Sequence, residues 1–130
     1  MTKPVRILFA DDSDVMRRTV CSFLKGVPDI AIVGEARGFG ELLKMHRELA
    51  PDIVLLDLHM PDQKSFDAAT VKAGLHGSCV IAVCVWNDET TVELARRYGA
   101  IKLLDKGELN STLIPAIDEC LSSLNLRAPD

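Results

Sequence analysis

Apolar residues along the chain follow two alternating patterns. Short, mostly apolar runs occupy residues 5–10, 30–33, 53–56, 79–85 and 101–104. Their length, their Ile, Val and Leu content and the Gly, Pro, Asp and Asn residues around them predict β-strands. The run Ile53-Val54-Leu55-Leu56 has no polar break. That is the pattern of a strand buried on both faces inside a parallel sheet. Between the runs, apolar residues recur at helical spacing. Met16, Val20, Phe23 and Leu24 share a face, with Ser13 or Asp12 as cap and Arg17 and Arg18 directed to solvent or a partner. Phe39, Leu42, Leu43, His46 and Leu49 share the next, which makes His46 an edge residue rather than a ligand. Pro51 ends that helix. A third helix is predicted over residues 66–75, and a fourth over 89–98 with a thin face of Val92, Ala95 and Tyr98, capped by Gly99. The last carries Leu113, Ile114, Ile117, Cys120, Leu121 and Leu124, with Pro115 in its first turn behind Ser111 or Thr112.

Strand and helix thus alternate five times across the 130 residues. This predicts one domain, an α/β fold with a parallel sheet and helices on both faces. Right-handed crossovers favour the doubly wound order 2-1-3-4-5. In that order strands one and three are neighbours at the switch point. Asp11 and Asp12 follow strand one, and Asp57 ends strand three before His59, Met60 and Pro61. The three carboxylates would then crowd one crevice, and Lys106, after strand five, would face them.

A lone Asp is most often a cap or turn residue, but this company changes the reading. Crowded carboxylates raise one another's pKa, and a hard divalent cation relieves the repulsion. Mg²⁺ takes about six oxygen ligands, several of them water, and suits one or two carboxylates plus a phosphate. A lysine beside them can hold phosphate oxygens as a point charge. Carboxylates, a metal and a lysine around Asp57 suggest phosphoryl transfer onto that side chain. The competing reading is a purely structural ion-pair cluster, less expected from charges on three converging strand ends.

The chain resembles a response-regulator receiver domain, the aspartate-phosphorylated half of a two-component system. The resemblance rests on Asp11-Asp12, on Leu55-Leu56-Asp57-Leu58-His59-Met60-Pro61, on Lys106, and on Gly99-Ala100 before it. It covers residues 5–124 and implies a flavodoxin-like fold of five strands and five helices. It also implies roles. Asp12 would bind Mg²⁺ directly and Asp11 mainly through water. The Asp57 carboxylate and the His59 backbone carbonyl would complete the protein ligands. Asp57 would accept the phosphoryl group and Lys106 would hold it. The donor would be a sensor histidine kinase or a histidine phosphotransfer protein. A downstream protein would bind the face of helix four and strand five. The resemblance implies a cytoplasmic signalling domain rather than an enzyme, although it would assist its own phosphorylation and dephosphorylation.

Several residues depart from the family pattern. Cys84 stands at the switch position, where a Thr or Ser hydroxyl normally meets the phosphate, and a thiol is the weaker donor. Lys106 could acidify that thiol, but packing is its expected role. Leu103 replaces the aromatic whose inward swing reports phosphorylation. Lys106-Gly107 replaces Lys-Pro, and Asp62-Gln63-Lys64-Ser65 replaces a Gly-rich turn. His59 and Trp86 would flank the phosphate. The alternative these departures raise is an interaction module with weak or phosphate-independent switching. An aspartate-nucleophile phosphatase would want a second Asp at position 59, and Asp11-Asp12-Ser13-Asp14 would repel the phosphate of a flavin. The short stretch after the last helix suggests a single-domain receiver, the other possibility being removal of an effector domain.

Composition narrows the picture slightly. The net charge of −4 argues against direct nucleic-acid binding. No apolar run approaches the roughly 18 residues of a membrane span. Cys21, Cys79, Cys84 and Cys120 lie among apolar residues without a Cys-x-x-Cys pair. They are therefore expected as reduced core residues, in keeping with the cytoplasm.

Overall fold

The computed structural model describes residues 4–85 and 88–123. Strands β1 (Val5–Ala10), β2 (Ile30–Ala36), β3 (Ile53–Asp57), β4 (Cys79–Cys84) and β5 (Ala100–Asp105) form one parallel sheet in the order β2-β1-β3-β4-β5. The helices are α1 (Asp14–Lys25), α2 (Phe39–Leu49), α3 (Ala68–Gly74), α4 (Glu89–Arg97) and α5 (Leu109–Ser123). Every residue of β3 and β4 is buried, as their unbroken apolar runs require of central strands. Alternate residues of β1 divide the core. Ile7 and Phe9 pack with Val20 and Leu24 of α1 and with Leu113 and Ile117 of α5. Leu8 and Ala10 pack with Phe39 and Leu42 of α2, Val71 of α3 and Ala95 of α4.

Two irregularities decide which side chains face the functional end. In β2 the register with β1 slips between Ile7 and Leu8, so Val33 is passed over and Leu8 pairs with Gly34. Gly34 lies beneath α2, where a Cβ would come within 2.7 Å of Met45 and 2.9 Å of Leu49. The slip also lengthens β2 to Ala36 and sets Glu35 beside Phe9, on the α1 side of the sheet. In β5 the register with β4 slips between Val80 and Ile81, so Ile101 is passed over and Leu103 pairs with Ala82 on the α3/α4 side.

Local chemistry sets the helix ends. Ser13 Oγ accepts from the Met16 N–H (3.2 Å), and Asp67 and Asp88 cap α3 and α4 by accepting from Thr70 and Thr91 (2.7 and 2.8 Å). The Asp67 cap starts α3 two residues later than the apolar pattern suggests and leaves Phe66 outside it, packed 6.4 Å from the Phe39 ring. Gly99 follows α4 with φ +85°, the left-handed conformation that glycine adopts most readily.

Four expectations need correction. Arg17 does not point to solvent: it is 6% exposed, held by acceptors described below. The buried face of α4 is Thr91, Ala95 and the adjoining Tyr98, with Leu94 half-buried, while Val92 is 51% exposed. Pro115 lies inside α5 rather than in its first turn. The 3-10 turn Lys106–Glu108 runs straight into a helix that begins at Leu109, and the Ser111 and Thr112 hydroxyls donate back to the Glu108 carbonyl instead of capping. Finally, Cys79 and Cys120 are joined as a disulfide between β4 and α5, with Cα atoms 5.8 Å apart. Their separation of 41 residues gives no local spacing signal. Cys21 and Cys84 are free thiols. Leu124 and Trp86 lie outside the described residues.

Candidate functional site

The tips of β1, β3 and β5 carry the charges, and each is placed by its own backbone. The Asp11 N–H donates to the Ala36 carbonyl (2.9 Å), which continues the sheet one residue past β1 and leaves Asp11 fully buried. Its Oδ1 accepts from the Ser13 N–H (2.9 Å). Asp57, the last residue of β3, is 2% exposed, and its Oδ1 accepts from the His59 N–H (3.0 Å). Each carboxylate thus uses one oxygen to brace the loop that follows it. The other oxygen faces Lys106, whose Nζ lies 2.9 Å from Asp11 Oδ2 and 3.3 Å from Asp57 Oδ2. Lys106 opens the turn after β5, so it reaches across the tip of β4 to do this.

The pocket has acceptor capacity to spare. The Lys106 ammonium is close to Asp11 Oδ2 but badly directed for a hydrogen bond, so this buried oxygen has an ionic neighbour and no aligned donor. Asp11, Asp12 and Asp57 each offer an oxygen, all within 4.8 Å of one another, and Asp12 is the exposed member. A cluster of hard oxygens, one of them buried without a donor and one open to water, fits a Mg²⁺ ion that retains several waters. Asp11, Asp12 and Asp57 are the side chains that would hold it.

Electrostatics agree with an anionic pocket that Lys106 only partly neutralises. Burial pushes the Asp57 carboxyl up to about 7; the His59 N–H works against this, the Asp11 charge adds to it, and Lys106 offsets only part. Burial pulls Lys106 down, but Asp11 and Asp57 together outweigh it and hold the ammonium above its ordinary value. Both groups are thus shifted upward, so the ammonium is favoured while the Asp57 carboxylate is not. The geometry explains why: Lys106 stands nearer Asp11, which leaves Asp57 the less compensated anion.

The structure brings Asp11, Asp12, Asp57 and Lys106 together as expected, and treats the flanking residues differently. Cys84 ends β4 beside Asp105 and is 1% exposed. Burial pushes its thiol up, Asp105 and Asp88 push it further, and Lys106 opposes them only weakly. Two anions and a dry environment thus disfavour an acidified thiol, in line with packing as the expected role of Cys84. The His59 side chain is exposed and lines an open groove of about 600 Å³ with Gln63, Glu89, Glu93 and Leu94, on the α4 side. Leu103 is half-buried against the core that holds Tyr98.

Two residues near the site carry more than the sequence suggested. Asp62 accepts from the Phe39 and Gly40 N–H groups (2.9 and 3.1 Å), capping α2 from 23 and 22 residues away. Gly38 makes room for it, since a Cβ there would sit 2.9 Å from both carboxylate oxygens. No sequence signal marks so distant a cap. Arg17 donates to the Asp11 carbonyl and pairs with Asp14 and with Glu35. Its i, i+3 spacing from Asp14 was the available clue.

The sequence profile of the response regulator receiver domain matches residues 7–118. This chain belongs to that family. Receivers serve signal transduction in two-component systems, and this one carries the family's fold. The chain is 31% identical over 121 residues to the transcriptional regulatory protein PdtaR of Mycobacterium tuberculosis, covering 92% of this chain and 58% of that protein. It is also 31% identical over 109 residues to a protein-glutamate methylesterase/protein-glutamine glutaminase of Pyrococcus horikoshii, covering 82% of this chain and 29% of that protein. The receiver of the response regulator NarL from Mycobacterium tuberculosis superposes with a TM-score of 0.80 at 26% identity, covering 92% of this chain and 98% of that one. The chain therefore spans well under two thirds of the curated relatives it matches. The two relatives are named for different activities, and each extends well beyond its match to this chain, so neither activity is carried over to this receiver. Among the described residues no helix is long and apolar enough to cross a membrane.

Proposed function

We propose that this receiver is a magnesium-dependent phosphoacceptor. An Asp57 carboxylate oxygen attacks the phosphorus of a phosphohistidine on a sensor kinase or phosphotransfer protein. The P–N bond breaks, its electron pair goes to the departing imidazole, which takes a proton from water, and an aspartyl phosphate remains. The observation that carries this reading is the convergence of two buried carboxylates on one ammonium, at 2.9 and 3.3 Å. Bound Mg²⁺ would supply charge neutralisation for the incoming phosphoryl oxygens. Lys106, held protonated by its two anions, then exchanges one carboxylate contact for a phosphoryl oxygen. The His59 N–H and the Ser13 N–H keep the carboxylates aimed while this happens. On this reading the domain is not an enzyme with a separate substrate; it catalyses only its own modification and its reversal.

The output is proposed to pass through the face of α4 and β5 to a downstream protein. Val92 on α4 and Ile101 on β5 are exposed apolar residues there, at 51% and 44%. A direct nucleic-acid role is not part of the proposal, given the net charge of −4. The cytoplasm is the proposed location. With Cys79 and Cys120 joined, that assignment rests on the family rather than on reduced cysteines.

The test is incubation with Mg²⁺ and acetyl phosphate, with Asp57→Ala alongside. Phosphorylation is expected on the wild-type protein alone, read as an 80 Da mass increase, about one phosphoryl unit. An unmodified wild-type chain, or equal modification of the variant, would end this reading.

A further inference from the structure

Arg17 stands behind the acidic crevice rather than in it. Its neighbour Arg18 is exposed, but Arg17 is 6% exposed at the junction of three segments. One guanidinium nitrogen donates to the backbone carbonyl of Asp11, in the β1–α1 loop. A second donates to the carboxylate of Asp14, in the first turn of α1. Nε lies 3.3 Å from Glu35, which the slip in β2 places on this side of the sheet. Arg37 shares the Asp14 anchor at 3.5 Å. The two carboxylates satisfy the charge. The contact with the Asp11 carbonyl does something else: it reaches the peptide that carries one pocket carboxylate and precedes the other.

We propose that Arg17 is a positioning residue for the magnesium site, fixing the Asp11 backbone and thereby the stance of the Asp11 and Asp12 carboxylates toward Asp57. The inference rests on the magnesium-dependent reading above. A planar fork meeting acceptors from three directions is a task for arginine. Lysine keeps the charge, but its ammonium lacks the fixed fork. Residues that orient metal ligands from behind typically change metal affinity 10- to 100-fold when replaced.

The experiment is a Mg²⁺ titration of the wild type, Arg17→Lys and Glu35→Gln, followed by backbone-amide NMR shifts. Arg17→Lys is expected to weaken half-saturation about tenfold. Its phosphorylation at saturating Mg²⁺ should return to near the wild-type level, because the reacting groups are intact. Glu35 is 46% exposed, so Glu35→Gln should shift half-saturation by no more than about twofold. Equal Mg²⁺ affinity in wild type and Arg17→Lys, or equal loss in Arg17→Lys and Glu35→Gln, overturns the inference. Should Arg17→Lys not fold, the wild-type protein decides. Its Arg17 Nε–H signal should move with the same half-saturation as the Ser13 amide, and a stationary signal overturns the proposal. A wild type that takes up no Mg²⁺ is a separate result, which sinks the metal reading itself.

Discussion

The strand tips that gather Asp11, Asp57 and Lys106 and the flank formed by β4, β5 and α4 touch one another, yet they are furnished in opposite ways. The tips hold buried charges with spare acceptor capacity and three carboxylates close enough together to share one cation. The flank is dry. Cys84 is a buried thiol with a raised pKa, Leu103 is an aliphatic side chain, and the aromatic on that side is Tyr98. Tyr98 is 2% exposed, lies 5.4 Å from the Phe39 ring in a stacked arrangement, and has Gln63 beside it, which partly offsets the rise that burial gives its pKa. A ring anchored on α2 and on the loop after β3 is a packing element, unlike a side chain free to swing. On the proposed function, chemistry and its mechanical readout are therefore separable here: the acidic residues and lysine it calls for are together at the tips, and the flank is furnished for packing.

The largest effect expected from this contrast is the pH dependence that the tips contribute. Asp57 has a folded pKa of about 7, against an ordinary carboxylate value of 3.8 in the unfolded chain. Between these values Asp57 is more protonated in the folded state than in the unfolded one, so its contribution to metal-free stability falls as pH rises from about 4 to about 7 and then levels off. At about 1.4 kcal/mol for each pH unit, ionising Asp57 in the folded protein costs up to about 4 kcal/mol. Asp57→Asn should remove that slope and stabilise the metal-free protein at pH 8, and Mg²⁺ should flatten the wild-type curve. Denaturant unfolding from pH 4 to pH 8 measures this. A wild-type minus Asp57→Asn difference that does not fall over that window would place the unfavourable charge somewhere other than Asp57.

A somewhat smaller loss is expected from Lys106→Met. The ammonium is the cation that both buried carboxylates touch. Removing one preorganised electrostatic partner of a reacting group lowers rates by roughly 100-fold. The rate of phosphoryl incorporation from acetyl phosphate at saturating Mg²⁺ should drop by about that factor. If Leu103→Ala lowers it as far, the separation of tips from flank fails.

The contrast also explains what was legible in the sequence. Strand order and the meeting of Asp11, Asp12, Asp57 and Lys106 follow from periodicity, because alternating apolar runs and amphipathic stretches leave few ways to wind the sheet. The features that tune the site do not follow. Val33 and Ile101 are passed over in register, and nothing in their side chains announces it. Yet the first slip is what sets Glu35 beside Arg17 and turns an apparent surface arginine into a buried one. Asp62 caps α2, and Cys79 meets Cys120, across separations that local patterns do not register. In α4, Thr91 buries its methyl-bearing side chain in place of Val92, since the helix phase is set by the Asp88 cap and by Tyr98. A count of apolar residues alone misplaces that face.

The smallest effect on chemistry should come from rebuilding the flank. Cys84 sits at the end of β4 next to Asp105, and Leu103 packs on the α4 side of β5. Replacing the thiol by a hydroxyl in Cys84→Thr supplies a stronger donor at the tip of β4, within the same backbone geometry. A hydroxyl exchanged for a thiol leaves Asp57, Lys106 and the acid cluster in place, so the extent of phosphorylation should stay within about twofold of the wild type, the scale of an ordinary non-contact substitution. The response should grow instead. Amide shift changes on phosphorylation are expected to extend from β4 into α4 in Cys84→Thr, and to extend further when Leu103→Tyr is added. The added ring meets competition from Tyr98, which is already stacked on Phe39 of α2. A double variant with the wild-type pattern of shifts would mean that Tyr98 and Gln63, rather than the residues at 84 and 103, set how far the signal travels. A variant whose phosphorylation itself collapses would mean that the two regions are coupled after all.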